Sequence, residues 1–474
     1  MSDQSVSDSV AWREVIVSPQ AGALAVIAMA IWMHAANSLL VTTLLPAIVA
    51  DIGGRALVAW SLALYEMGTI ITGIAGGLMA IRFGLRAPMA ATALLFFAGC
   101  ITSASAQTMP GLLVGRFVQG LGGGGLVALC FVAVTVLFPR RLVARATAVI
   151  STVWGVSAFL GALIGGLLVE YATWRVGFAA FAVQALIVTA ALIMSKQFGA
   201  APTQTEEQRS FPAARLAFLA LGVASIAYAG IEVALLRTSG FVVLGILCLA
   251  LVLALDRRAG TNRLLPKAPF SLVTPQGAAL TMMLFFGMAT VAITAYGPIL
   301  MTAIHGVSAL TAGYIVAGHS IGWTAAAFFV SGAAERHDSK LIAFGLALAT
   351  LSIFGFLWSV PNGPASLIAV FTIMEGCGFG LAFTFLLRRV ISVIDPAEIE
   401  RTASAIPTTQ RFGYALGVAY IGIIANMAGY PVAETPEETA AAARIIFASC
   451  LPLAGIGIVA TVMLLTRKRA VASD

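Results

Sequence analysis

Charge is scarce in this chain, and several charged residues sit where charge is costly. Residues Leu112 to Val127 read LLVGRFVQGLGGGGLV, an apolar run with Arg116 and Gln119 in its interior. A guanidinium at bilayer depth costs roughly 2.5–3.5 kcal/mol on insertion scales. Leucine would serve better if packing were the only demand, so Arg116 is expected to face a wet cavity or a partner inside a helix bundle. Glu66 in LYEMGTI and Glu375 in TIMEGCGFG are two more ionisable groups deep in apolar stretches. Each has the chemistry of a proton carrier, and each has a structural alternative. Glu66 is either a coupling acid, tied to Arg116, or held neutral by burial. Glu375 is either an acid facing a ligand or a carboxyl pressed against a neighbouring helix by Gly376, Gly378 and Gly380. His34, Asn37 and Ser38 recur at a spacing that places them on one helix face, with Gln119 a further polar candidate for a cavity wall. His34 titrates near neutral pH when unperturbed, and His319 in AGHSIGW offers a second imidazole. Either histidine is a proton-exchanging group or a hydrogen-bonded structural one. Gln410 and Arg411 read as a cavity wall or as a pair snorkelling to an interface.

The elements that hold these residues are membrane spans. Of 474 residues, 60% are hydrophobic and 10% charged, against about 25% charged in a soluble chain. This composition gives an all-α polytopic membrane protein. Glycine is plentiful, as helix packing in lipid demands. The run Gly120 to Gly125 reads as a helix seam, because it follows no strand and lacks the spacing of a phosphate loop. The net charge of +7 implies no nucleic-acid partner, since the basic residues are sorted by loop. Cys100, Cys130, Cys248, Cys377 and Cys450 lie in apolar stretches without metal-ligand spacing. No metal, cofactor or enzymatic activity is expected: there is no nucleophile–base pair, nucleotide loop or ligand cluster. The first residues lack the charged, apolar and small-residue blocks of a signal peptide.

A span needs about 20 apolar residues. That rule predicts six spans at 21–49, 57–80, 87–106, 110–137, 144–170 and 175–195. A polar, proline-bearing stretch follows at 197–212, then two spans at 214–236 and 240–256, the second of them short. Six more follow at 276–301, 309–333, 340–360, 364–387, 402–428 and 442–466. The expected organisation is a tail at 1–20, a six-helix bundle at 21–195, a linker with two additional spans at 196–275, a second bundle at 276–466 and a tail at 467–474. Threading fourteen spans concentrates Lys and Arg on one face. The positive-inside rule then places both termini in the cytoplasm of a cell in whose inner or plasma membrane the protein sits. A weak repeat relates Gly77–Arg86 to Ser331–Lys340, small-residue helix ends running into short basic loops in both halves, as transporters built from repeats show.

At these residues the chain resembles the major facilitator superfamily, and within it the fourteen-helix drug:proton antiporter branch. Gly77, Arg82, Gly84 and Arg86 look like its G-x-x-x-D-R-x-G-x-R loop signature. Arg116, Gln119 and Gly120 look like R-x-x-Q-G, and Gly161, Gly165 and Gly166 like the antiporter signature G-P-x-x-G-G. Three positions depart from the pattern. Ile81 replaces the acid of the loop, Ala162 the proline of span five, and Asn37 the aspartate often found in span one. An amide cannot carry a proton, so another group must titrate if protons drive the protein. The resemblance implies two six-helix bundles with two extra helices between them. It implies a monomeric secondary transporter that exports a hydrophobic or amphipathic small molecule against protons by alternating access. An importer or uniporter of a small organic solute on the same fold is the alternative, and a non-transporting membrane sensor a remoter one.

Overall fold

The computed structural model describes residues 14, 17–199, 212–232, 234–330, 332–395 and 398–466. Most of the N-terminal tail, most of the polar stretch after the sixth span and the basic tail at 467–474 lie outside the described residues. Among the described residues the chain forms fourteen α-helices, short 3-10 turns and no strand. In a hydrocarbon solvent each backbone donor and acceptor must be satisfied within its own segment, which a helix does. The first bundle comprises α1 (Ala21–Ile52), α2 (Val58–Phe83), α3 (Arg86–Ala104), α4 (Met109–Leu137), α5 (Arg140–Tyr171) and α6 (Trp174–Met194). A hairpin follows, α7 (Ala213–Ala229) and α8 (Leu235–Arg258). The second bundle is α9 (Pro275–His305), α10 (Ala309–Val330), α11 (Asp338–Asn362), α12 (Ala365–Ile391), α13 (Ile399–Met427) and α14 (Pro436–Leu465).

Local chemistry sets the breaks. Gly84 closes α2 at φ 72°, a left-handed backbone that favours glycine. Thr108 caps α4 by accepting from the Gly111 amide at 3.4 Å, with Pro110 in the first turn. Thr435 and Glu438 form a reciprocal capping box at α14. Among the described residues, twelve helices are long and apolar enough to cross a membrane. The other two are α7, with 17 residues, and α13, which carries Arg401, Gln410 and Arg411 along its length. The short member of the hairpin is α7, whereas the sequence pointed to α8. The chain turns at 230–234, where Glu232 pairs with Arg237 at 2.7 Å and Thr238 accepts from the Ala234 amide at 3.2 Å. These polar contacts end α7 early and start α8 early.

The two bundles repeat one packing scheme. In the first, α2 packs on α4, α3 on α4 and α6, and α1 on α5. In the second, α10 packs on α12, α11 on α12 and α14, and α9 on α13. The hairpin α7–α8 lies against α2 and α13. On the face away from the chain termini the halves share a single core, which joins the ends of α1 and α2 to Tyr296, Val316, Ile421 and Phe447. On the terminal face the second half has a core of its own, around Met282, Leu346, Phe385 and Leu464, with no first-half residue in it. A third cluster, around Ile70 and Leu416, joins α2 to α13 and α7 between these two.

Candidate functional site

Glycines decide how closely the helices around the first polar cluster approach. A Cβ on Gly120 would lie 2.9 Å from the Tyr65 carbonyl carbon, and one on Gly122 2.7 Å from the Phe96 Cα. A Cβ on Gly123 would lie 2.7 Å from the His34 imidazole. The run Gly120 to Gly125 therefore lets α2 and α3 reach α4 backbone to backbone, and lets the His34 side chain of α1 lie against it.

Arg116 lies inside this packing. It is fully buried, its Nη1 donates to Gln119 Oε1 at 2.5 Å, and its Nε donates to the Ser61 carbonyl at 3.4 Å. Its guanidinium stands over the Tyr65 ring, 4.2 Å from the centroid. Gln119 donates onward to the Cys100 sulfur at 2.9 Å. Of the two expectations for Arg116, a wet cavity or a partner inside the bundle, this conformation shows the second: Gly99, Gly115 and Gly120 let α2, α3 and α4 close around the cation, which protein groups solvate. Its Nη2 has no hydrogen-bond partner. The Tyr65 hydroxyl shares a hydrogen bond of 2.8 Å with His34 Nδ1, and the two rings stack. Asn37 is fully buried beside this hydroxyl, yet its amide makes no hydrogen bond of ordinary length.

Glu66 points elsewhere. Its carboxylate lies 3.5 Å from Arg411 Nη1 on α13, so the pair bridges the two halves. The pairing with Arg116 suggested by similar depth is absent; Arg411, which the sequence placed in a cavity wall or, by preference, snorkelling to an interface, takes its place. Its guanidinium also stands 5.7 Å from the Trp154 ring centroid on α5, and Trp154 meets His34 edge-on. Arg411 thus touches α2 and α5 of the first bundle from α13 of the second. Sequence reasoning gave Trp154 no part in this. Its signal was indirect: an aromatic immediately before Gly155, the first glycine of the G-x-x-x-x-x-G-x-x-x-G-G run of α5.

In the second half, Glu375 is buried and its Oε2 lies 3.0 Å from His319 Nδ1. The other carboxylate oxygen has no hydrogen-bond partner. Aromatic rings wall this pair. Trp323 stacks on Phe379 at 5.5 Å between centroids, and His319 lies 5.7 Å from Phe379. The residues resembling signatures are distributed differently. Gly161 and Gly165 bring α5 onto α1, with Cβ positions 2.8 Å from the Ala36 carbonyl oxygen and 3.0 Å from the Thr43 Cβ. Gly166 faces the other half, its Cβ position 2.6 Å from the Leu310 Cα. On the terminal side, Arg86 donates to the Ser195 carbonyl at 2.6 Å, Arg82 is exposed beside Phe83, and Gly77 has nothing packed over it. The site residues therefore form three groups: Arg116, Gln119, Tyr65, His34 and Asn37 inside the first bundle, Glu66 and Arg411 between the bundles, and Glu375 and His319 inside the second.

A model of the Major Facilitator Superfamily matches residues 26–418. The chain belongs to the major facilitator superfamily. It is 27% identical to a "probable multidrug-efflux transporter" of Mycobacterium tuberculosis, over 98% of this chain and 99% of that protein. It is 23% identical to a "multidrug efflux pump" of Staphylococcus aureus, over 83% of this chain and 87% of the relative. A crystal structure of the peptide transporter POT in complex with sulfate superposes with a TM-score of 0.66 at 17% identity, covering 92% of this chain and 93% of that one. This last likeness concerns the fold. The protein is a multi-pass membrane transporter of the superfamily, and the two relatives above are named for multidrug efflux.

Proposed function

We propose that the protein exports hydrophobic or amphipathic small molecules in exchange for protons. The observation that carries this reading is the Glu66–Arg411 pair at mid-membrane, a titratable contact between the two halves. At 3.5 Å and an effective dielectric constant near 20, such a pair is worth of order 4 kcal/mol before desolvation is subtracted. A proton on Glu66 removes the counter-ion of Arg411, and the seam loses its strongest electrostatic contact. Proton binding on one side and ligand binding on the other then favour different arrangements of the same halves.

In this reading the bundles at 21–195 and 276–466 rock against each other, and 196–275 connects them. Both termini lie in the cytoplasm of a cell whose inner or plasma membrane holds the protein. The transporter acts as a monomer. His319 and Glu375 form a second protonatable pair, and the rings of Trp323 and Phe379 give an apolar ligand a surface to stack on. Arg116 holds Tyr65, and through it His34, beside Glu66.

The test is transport of a fluorescent amphiphile into or out of proteoliposomes with an imposed pH gradient. Glu66→Gln should abolish gradient-driven movement, and Glu375→Gln and Arg116→Ala should each weaken it. Full gradient-driven transport in all three variants would overturn the reading.

A further inference from the structure

A chamber of about 580 Å³ lies outside the site described above, on the terminal half of the molecule where α7 and α8 cover the crevice between α2 and α13. Ligand pockets span about 300–1,000 Å³, so the volume suits one drug-sized molecule. Its walls are apolar on three sides, with Ile74 from α2, Val132 from α4, Leu219 from α7 and Val252 from α8. The fourth wall is α13, which presents Ser404 and Thr408. Each of these hydroxyls donates to its own helix, Ser404 to the Arg401 carbonyl at 3.0 Å and Thr408 to the Ser404 carbonyl at 3.1 Å. What each offers the chamber is an oxygen lone pair, so the strip accepts hydrogen bonds.

The charges at the rim are already matched. Arg215 donates to Asp256 at 2.5 Å and to the Asn262 carbonyl at 2.9 Å, and Asp256 also accepts from the Leu264 and Leu265 amides. Arg263 donates to the Gly260 carbonyl at 3.1 Å and stands 3.8 Å from Glu398. The rim thus supplies no uncompensated charge to hold an ion. The deep end of the chamber approaches the seam between the halves. Ile70 and Thr408, both in its lining, lie about one helical turn from Glu66 and Arg411.

We propose that this chamber is a second ligand site, which takes a neutral amphiphile with an apolar body and a hydrogen-bond donor before the molecule reaches the Glu66–Arg411 seam. The order of events rests on the export reading above; occupancy of the chamber does not. N-phenyl-1-naphthylamine, neutral, apolar and carrying one N–H, is a suitable probe. Its radiolabelled form is titrated onto the full chain in lipid nanodiscs, with empty nanodiscs as background. A saturable component of about one probe per chain is expected. Leu219→Trp and Val132→Trp fill the chamber from different walls, and each should weaken binding about tenfold or more, a loss of about 1.4 kcal/mol. Thr408→Val keeps the shape and removes the acceptor, and should weaken binding several-fold. Glu66→Gln should retain the binding even where gradient-driven transport is lost, which separates failure of the site from failure of the export reading. Variants are scored only where size-exclusion elution matches the parent. No saturable binding, or binding unchanged in Leu219→Trp, Val132→Trp and Thr408→Val, would overturn the proposal. So would native mass spectrometry showing a phospholipid lost from both filled variants and not displaced by the probe, since the chamber would then be a lipid site.

Discussion

The two halves meet along two seams, α2 against α13 and α5 against α10, and the seams differ in chemistry. The repeat of the packing scheme makes them counterparts, since α2 corresponds to α10 and α13 to α5. At the α5–α10 seam the contact is steric. Gly155 faces the Thr324 side chain, the Phe159 and Tyr314 rings lie 5.3 Å apart, and Gly166 meets the Leu310 backbone. At the α2–α13 seam Glu66 faces Arg411, and the hairpin α7–α8 covers the crevice from the lipid side. One architecture is thus met by two chemistries, so the fold alone does not require charge at a seam. The proton exchange proposed above gives the charge at α2–α13 a role.

The largest effect should come from the charged seam. Glu66→Gln or Arg411→Ala leaves one partner of a partly desolvated pair alone, a change worth about 3–5 kcal/mol where burial is deep. Gradient-driven transport in proteoliposomes should fall by about a hundredfold or more. The exchanged pair Glu66→Arg with Arg411→Glu should recover part of it; equal loss in the double variant would mean that the position of each charge, and not their attraction, matters. Next comes the steric seam. Overpacking a tight helix contact costs about 1–3 kcal/mol, so Gly166→Leu should slow transport about tenfold while leaving its dependence on the pH gradient unchanged. A changed gradient dependence would make the two seams equivalent. Glu375→Gln removes an acid that lies within one half, and should reduce the transport rate several-fold in the same vesicles. A loss as large as that of Glu66→Gln would remove the special standing of the α2–α13 seam. The smallest effect is expected away from both seams. Asp338 accepts from Arg388 at 2.5 and 3.0 Å at the terminal end of the second bundle. Asp338→Asn should cost about 1–3 kcal/mol in thermal unfolding, with transport within about twofold of the parent.

Much of the fold was legible in the sequence because lipid makes the rule simple: apolar length gives spans, and the breaks between them carry turn residues and basic loops. Even α13, too polar to stand out by hydropathy, followed from its length and the charges flanking it. Helix rotation was not legible. In a membrane both the protein-facing and lipid-facing sides of a helix are apolar, so the period that orients a soluble helix is weak. The direction of Arg116 was for that reason open, and glycines on α3 and α4 turned out to let the helices enclose it. Glu66 and Arg411 were each visible as mid-span charges. Their pairing was not, because they belong to opposite halves and no local spacing connects them. The boundary between α7 and α8 was misplaced because Glu232, Arg237 and Thr238 cap the turn through contacts that hydropathy does not register.

Asn426 ties three parts of the molecule at one point. Its side-chain nitrogen donates to the Ala56 carbonyl at 2.9 Å and to the Gly230 carbonyl at 2.6 Å, linking α13 to the start of α2 and to the end of α7. At its other end the hairpin is pinned through Asp256 to the backbone that leads into the second bundle. In the rocking motion proposed above, the hairpin is a strap of fixed length, moored beside the axle at one end and to a moving arm at the other. A swing wider than that strap permits must first unmoor Asn426, which gives α7 and α8 the character of a stroke limiter.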